Sequence, residues 1–118
     1  MATIEITNLR LRTIIGINDW ERVNKQDIVI NITIDYDASQ SAVTDRIEDT
    51  LDYKALTKKI IHLVENTQFF LLEKLTRSVL DIVLAAPLVL HARVRIEKPL
   101  ALRFADSVSV ELKESKNK

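Results

Sequence analysis

Cysteine and glycine are nearly absent from this sequence. It contains no cysteine and a single glycine among 118 residues. The lack of cysteine excludes a disulfide framework, thiolate zinc sites and a cysteine nucleophile, and it suits a cytoplasmic protein. One glycine cannot build the glycine-rich loops that cradle phosphates in many nucleotide-binding enzymes. Several enzyme classes are therefore excluded before any motif is considered.

The sequence also lacks net charge and long apolar runs. Seventeen Lys and Arg residues balance seventeen Asp and Glu residues, so no global field attracts nucleic acid. The opening MATIEITNLRLR has polar residues at every second or third position, unlike a signal peptide or membrane span. With 47% hydrophobic residues, the chain is expected to fold as one domain over 1–118, with a flexible tail over about 114–118. We expect a cytoplasmic protein with neither a nucleic-acid nor a membrane partner.

Alternating apolar residues predict four strands. The clearest lies over 27–36, where every second residue from position 28 is isoleucine or tyrosine. The first strand changes the parity of its apolar residues near Asn8, which predicts a bulge there. Two more strands are predicted around 93–97 and 107–112.

Two amphipathic helices are predicted between the two pairs of strands. Apolar residues recur three and four apart over 56–67 and again over 72–83. Asp52 or Thr50 can cap the first helix, and Pro87 stops the second. The resulting order ββααββ indicates an α+β domain, in which one antiparallel sheet carries both helices on one face.

Three side chains lie where chemistry could occur. Glu73 is in the first turn of the second helix, where a carboxylate could accept two parallel hydrogen bonds from the amidine-like edge of a pterin or guanine. Lys98 closes the third strand before Pro99 and could act as a general acid or base. Tyr53, at a helix start, could donate a proton. The alternatives are a Glu73–Arg77 pair, a hydrated Lys98 and a Tyr53 that only packs.

The two histidines give little support to a metal site. His62 falls on or beside the apolar stripe of the first helix, and His91 begins the third strand. Neither has a metal-binding spacing such as HExxH, so both are interpreted as structural. We expect no metal.

Four stretches, taken together, resemble one known family. GINDWE ending at Glu21, LDYKALT from Leu51, LLEKL from Leu71 and RIEKPLALRFADSV from Arg95 are similar in order and spacing to the dihydroneopterin aldolase family. The resemblance spans nearly the whole chain. It implies a tunnelling fold (T-fold), in which ββααββ subunits form a four-membered ring around a continuous antiparallel barrel. Two stacked rings would form a homo-octamer, with the pterin substrate bound at subunit interfaces.

The resemblance also implies roles for particular residues. It implies catalytic roles for Lys98, Tyr53 and Glu21, and substrate-binding roles for Glu73, Leu72, Gly16 and Arg103. Glu73 would anchor the pterin, Lys98 would be the general acid/base, and Tyr53 would reach in from the next subunit. Such enzymes need no metal, Schiff base or cofactor, because the C6=N5 imine of the dihydropterin accepts the electrons released when its side chain is cleaved.

Two activities of this family share the retro-aldol step. Aldolases release glycolaldehyde, whereas 2'-epimerases of dihydroneopterin triphosphate reclose the bond after the aldehyde has presented its other face. Aldolases often have a glycine in the turn after the lysine, but LALRFADSV here resembles the epimerases, although the KP pair resembles aldolases. We interpret the chain as an epimerase. The alternatives are an aldolase and a non-catalytic pterin-binding assembly module.

A triphosphate substrate requires cationic side chains. Arg103, with Lys54 or Arg12 as assistants, could meet the phosphates by charge-assisted hydrogen bonds. Alternatively, Arg103 faces solvent or pairs with Asp106.

Overall fold

A computed structural model describes residues 1–116. Its elements, in chain order, are β1 (Ala2–Thr13), α1 (Asp19–Val23), β2 (Gln26–Tyr36), α2 (Ser41–Thr44), a 3-10 helix (Ile47–Asp49), α3 (Tyr53–Asn66), α4 (Leu72–Leu84), β3 (Val89–Pro99) and β4 (Ser107–Ser115). The predicted order ββααββ is confirmed for the main elements. The short helices α1 and α2 and the 3-10 helix were not predicted.

The strands form one antiparallel sheet in the order β1-β2-β3-β4. Alternation along the strands gives the sheet one apolar face: the four isoleucines from Ile28 to Ile34 are at most 1% exposed, and Ile96 is fully buried beside them. Helix α3 packs on β1 and helix α4 on β3 and β4, which completes the core. The opposite face is formed by the alternate strand residues, such as Asp27, Asn31 and Arg95. We call it the helix-free face.

The bulge predicted in β1 is confirmed. The pairing of β1 with β2 shifts between Ile6 and Leu9. Asn8 adopts a left-handed conformation with φ of 55°, and its backbone N–H donates to Asn31 Oδ1 at 2.9 Å. Asparagine tolerates this conformation better than most residues. The bulge therefore lets apolar residues on both sides of it face the helices.

Both long helices begin and end near the predicted residues. Asp52 caps α3: its Oδ1 accepts hydrogen bonds from the backbone N–H groups of Lys54 and Ala55, each at 3.1 Å. Helix α4 ends at Leu84, before Pro87, as expected.

Two details of the sequence interpretation are wrong. Strand β4 continues to Ser115, and the backbone N–H of Lys116 donates to the carbonyl of Leu90 at 2.9 Å. The flexible tail expected from about residue 114 is therefore ordered as far as Lys116, while Asn117 and Lys118 lie outside the described residues. Strand β3 also does not leave the sheet at Lys98, because Pro99 still pairs with Ser107.

Within residues 1–116, no helix combines the length and the apolar character required to cross a bilayer.

The cap of α3 gives a stability prediction. Asp52→Ala leaves two backbone donors without their acceptor, so the free energy of unfolding should fall by about 1 kcal/mol. Asp52→Asn should retain most of that stability, because asparagine caps as well as aspartate. Urea denaturation followed by circular dichroism measures both, with Glu65→Ala on the exposed side of α3 as the control. Equal stability of the Ala and Asn variants would contradict this account.

Candidate functional site

An enclosed ion pair joins the end of β3 to α1. The Lys98 Nζ donates a hydrogen bond to Glu21 Oε2 at 2.6 Å, and the two side chains are only 13% and 15% exposed. Every other ion pair found within residues 1–116 is more exposed than this one. Lys98 has the same strand parity as buried Ile96, so it lies on the side of the sheet that carries the helices.

The Glu21 carboxylate is held from several directions. Its Oε1 accepts the backbone N–H of Asn18 at 3.2 Å, and its Oε2 accepts Gln26 Nε2 at 3.3 Å. The hydrogen bond from Lys98 is the main reason why the pKa of Glu21 is lowered from 4.5 to about 2. Partial burial opposes this shift, and the bonds from Asn18 and Gln26 add to it. Glu21 is therefore fully ionised at neutral pH.

Gly16 leaves the space that this carboxylate occupies. Its φ of 130° is a conformation that side-chain-bearing residues rarely adopt, and a Cβ at this position would collide with the carboxylate of Glu21. The single glycine of the chain is therefore required both by its backbone and by its neighbour.

Arg22 connects this loop to the segment before α4. Its Nη1 donates to the carbonyl of Gly16 at 2.9 Å and to that of Phe69 at 2.7 Å. The guanidinium carbon also lies 4.0 Å from the centroid of the Phe70 ring. The backbone N–H of Gly16 donates to the same Phe69 carbonyl at 3.2 Å. Arg22 could not be predicted as part of this site, because a bond to distant backbone carbonyls leaves no pattern in the sequence.

These bonds bring the start of α4 to the same end of the domain as the ion pair. Leu72 and Glu73 open α4 three and four residues after Phe69. Glu73 is exposed, and its carboxylate forms no hydrogen bond or ion pair with the rest of residues 1–116. The alternative Glu73–Arg77 pair is wrong, because Arg77 pairs instead with Asp81 and Glu114, each at 2.7 Å.

Tyr53 lies at the other end of the sheet. It is 54% exposed at the start of α3 and lines a cavity of about 330 Å³ with Tyr36 and Lys54. Tyr36 is seven residues along β2 from Val29, the partner of Glu97. At 3.4 Å per residue this separation is about 24 Å. Tyr53 and Lys54 are thus remote from Lys98 within the chain.

Arg103 lies in the hairpin of residues 100–106, between β3 and β4. It is exposed, and its guanidinium carbon is 5.3 Å from the centroid of the Phe104 ring. Within the described chain it forms no ion pair with Asp106, so that pairing is wrong, and its exposed guanidinium is compatible with both the solvent-facing and the phosphate-binding interpretation.

The histidines contact only neighbouring polar groups. His62 is exposed on α3, away from its buried stripe, with Nδ1 at 3.3 Å from Asn66 Nδ2. His91 Nδ1 lies 2.8 Å from Ser115 Oγ, two residues after the start of β3. Within residues 1–116, no three His, Asp or Glu side chains are placed to bind one metal ion together.

The ββααββ order and the sheet order β1-β2-β3-β4 are those of the tunnelling fold, as the family resemblance implied. The family model described as FolB, dihydroneopterin aldolase, matches residues 4–113. The chain belongs to the dihydroneopterin aldolase family.

Named relatives support this membership. A dihydroneopterin triphosphate 2'-epimerase of Escherichia coli is 54% identical over 111 residues, which cover 94% of this chain and 92% of that protein. A dihydroneopterin triphosphate 2'-epimerase of Pseudomonas aeruginosa is 49% identical over 112 residues, which cover 95% of this chain and 91% of that protein. The crystal structure of Escherichia coli dihydroneopterin aldolase in complex with neopterin has a TM-score of 0.91 at 29% identity, and covers 98% of this chain and 100% of that one.

The lowered pKa of Glu21 predicts a pH dependence. The pKa of Glu21 is about 2 in the folded chain and near 4.5 in the unfolded chain. The stability that the ionised carboxylate gives to the fold is therefore complete above about pH 4.5 and is lost as the pH falls toward 2. Lys98→Met removes the main cause, so the pKa of Glu21 should rise and this part of the pH dependence should disappear. Denaturation at a series of pH values, together with carboxyl NMR titration, measures both effects. A wild-type Glu21 that titrates near 4.5 would refute the pairing.

Proposed function

We propose that this chain is a dihydroneopterin triphosphate 2'-epimerase that acts at the end of the protomer where Lys98, Glu21 and Glu73 gather. The observation that carries this proposal is the enclosed Lys98–Glu21 pair, at 2.6 Å, beside a helix that presents an unpaired carboxylate. The named epimerases share 54% and 49% of their aligned residues with this chain, against 29% for the aldolase. The aldolase activity is kept as the alternative, because the family model is that of an aldolase and Lys98-Pro99 resembles one.

Glu73 would anchor the pterin. Its two carboxylate oxygens can accept the N–H and amino groups of the pyrimidinone edge in parallel, and the N-terminus of α4 favours the negative charge. Leu72 and the buried turn at Gly16 would form part of the surrounding wall. The neopterin bound in the related aldolase has the same heterocyclic edge.

Lys98 would handle the proton. In the retro-aldol step the 2'-hydroxyl loses its proton, the C1'–C2' bond breaks and its electrons move into the C6=N5 imine. The Lys98 ammonium would first release one proton to solvent; the neutral amine would then take the 2'-hydroxyl proton through a water molecule and return it when the bond recloses on the other face of the aldehyde. Glu21, whose pKa of about 2 keeps it ionised at neutral pH, would hold the Lys98 side chain in place throughout the reaction. Glu21 thus acts on the reaction by positioning Lys98.

We further infer that a second subunit completes each site. Tyr53 lies beside Tyr36, which is about 24 Å along β2 from the residue paired with Glu97, by the rise of 3.4 Å per residue, so we infer that one subunit cannot bring Tyr53 and Lys98 to one pterin. Strands β1 and β4 each leave one edge unpaired within residues 1–116, which favours pairing with further copies. A ring of four closed by such pairing, stacked as a homo-octamer, remains a prediction, as does the cytoplasmic location.

One assay separates the activities. Incubation with dihydroneopterin triphosphate and with dihydroneopterin, followed by chromatography, should give mainly the 2'-epimer of the triphosphate. Lys98→Ala should abolish turnover but leave neopterin binding largely intact, because it removes the proton carrier and not the anchor. Glu73→Gln should weaken neopterin binding by about tenfold or more, since a charge-assisted hydrogen bond is lost.

The matched controls are Lys113→Ala on the exposed side of β4 and Glu65→Gln on α3, which should behave as wild type. Release of 6-hydroxymethyl-dihydropterin as the main product would favour the aldolase. Binding without turnover in the wild type would favour the assembly module. Normal turnover by Lys98→Ala would remove Lys98 from the mechanism.

Sharing of sites between subunits predicts complementation. Lys98→Ala and Tyr53→Phe subunits should each be nearly inactive alone. Unfolded together and refolded, they should regain about a quarter of wild-type activity, because random assembly makes that share of sites with both intact residues. Size-exclusion chromatography with light scattering checks that mixed oligomers form. Mixed oligomers without regained activity would mean that both residues serve the site from one subunit.

A further inference from the structure

A small cleft lies on the helix-free face at the Lys98 end of the sheet. It has a volume of about 270 Å³ and is lined mainly by Arg10, Arg12, Asp27, Val29 and Pro99. These residues come from three adjacent strands, and Arg10 pairs with Val29 and Arg12 with Asp27 across β1 and β2. None of them has been given a role in the proton transfer described above.

The cleft carries an excess of positive charge. Arg12 Nε pairs with Asp27 Oδ1 at 3.1 Å, and Arg12 Nη2 donates to the carbonyl of Lys25 at 3.1 Å. The side chains of Arg12 and Asp27 are 65% and 76% exposed. Solvent therefore screens their attraction, and the guanidinium can exchange partners readily. Arg10 is exposed and forms no ion pair within the described part of the chain. The lining residues thus include two guanidinium groups and a single carboxylate.

The cleft and the proposed catalytic amine lie at the same end of the sheet, on its opposite faces. Pro99 directly follows Lys98, and consecutive strand residues point to opposite faces. Arg12 lies two strand spacings from Pro99, about 10 Å. The hairpin of residues 100–106 turns sharply at Leu100, whose φ is 62°, and carries the exposed Arg103 past this end. Arg103 thus lies in the hairpin that directly follows Lys98 and Pro99, at the same end of the sheet as Arg10 and Arg12.

We propose that Arg10 and Arg12 bind the triphosphate tail of the substrate, with Arg103 at the rim of the path from Lys98 to this cleft. Guanidinium groups match phosphate oxygens in paired, charge-assisted hydrogen bonds. The pterin ring stays with Glu73, the reacting side chain with Lys98, and the tail passes around Leu100 into the cleft. This assignment rests on the proposed epimerase function, and it makes the cleft the feature that selects the triphosphate over unphosphorylated dihydroneopterin.

The test is the ratio of kcat/KM for the triphosphate to kcat/KM for dihydroneopterin. Arg10→Ala should lower this ratio by about tenfold, and Arg10→Ala/Arg12→Ala by more, mainly through KM for the triphosphate. Asp27→Asn should raise the ratio, because it frees Arg12 and removes the opposing charge. Arg93→Ala is the matched control. Arg93 lies on the helix-free face, five positions before Lys98 along β3, and its loss should leave the ratio unchanged.

Inorganic tripolyphosphate gives a readout that does not depend on turnover. Calorimetry should detect its binding to the wild type, weaker binding to Arg10→Ala and stronger binding to Asp27→Asn. If the wild type turns over neither substrate but these binding differences hold, the epimerase proposal fails and the anion cleft stands. An unchanged ratio in the folded Arg10→Ala variant, or an equal loss in Arg93→Ala, overturns the assignment.

Discussion

The hydrogen-bonded ion pair between Lys98 and Glu21 fixes the geometry on which the proposed site depends. Removing two charges from water costs free energy that their attraction only partly offsets, so such a pair is weak evidence for stability. Here the carboxylate is supported by further donors from Asn18 and Gln26, and Gly16 leaves room for it. We infer that the pair is kept because it places an amine at a strand end in one orientation.

The rest of the proposed site depends on the contacts that hold α1, which carries Glu21, and the preceding turn at Gly16. Arg22 and Gly16 both bond the carbonyl of Phe69, which sets the start of α4 and therefore the direction of Glu73. The same chain places Tyr53 at the far end of the sheet, next to Tyr36. Under the proposed function, the two ends of one chain would each contribute part of a site, and assembly through the strand edges left unpaired within residues 1–116 would join them.

Much of the fold could be predicted, because it depends on local periodicity. The alternation over 28–36 and the recurrence of apolar residues over 56–67 are properties of single elements, and the parity change at Asn8 located the bulge. Helix α1 was missed because five residues are too few to show a period. The Lys98–Glu21 pair joins residues 77 positions apart, and spacing carries no information at that distance. The tail prediction failed because pairing with β3, and not composition, orders residue 114.

We propose that one cleft, at a junction of two subunits, holds a pterin between Glu73 and Lys98. A crystal structure of the assembled protein with neopterin bound tests it most directly. The account predicts the pyrimidinone edge within hydrogen-bonding distance of the Glu73 carboxylate, the side chain directed at Lys98, and Tyr53 of an adjacent subunit against the same ligand. Neopterin bound elsewhere, or Glu73 and Lys98 opening into separate clefts of the assembly, would contradict it.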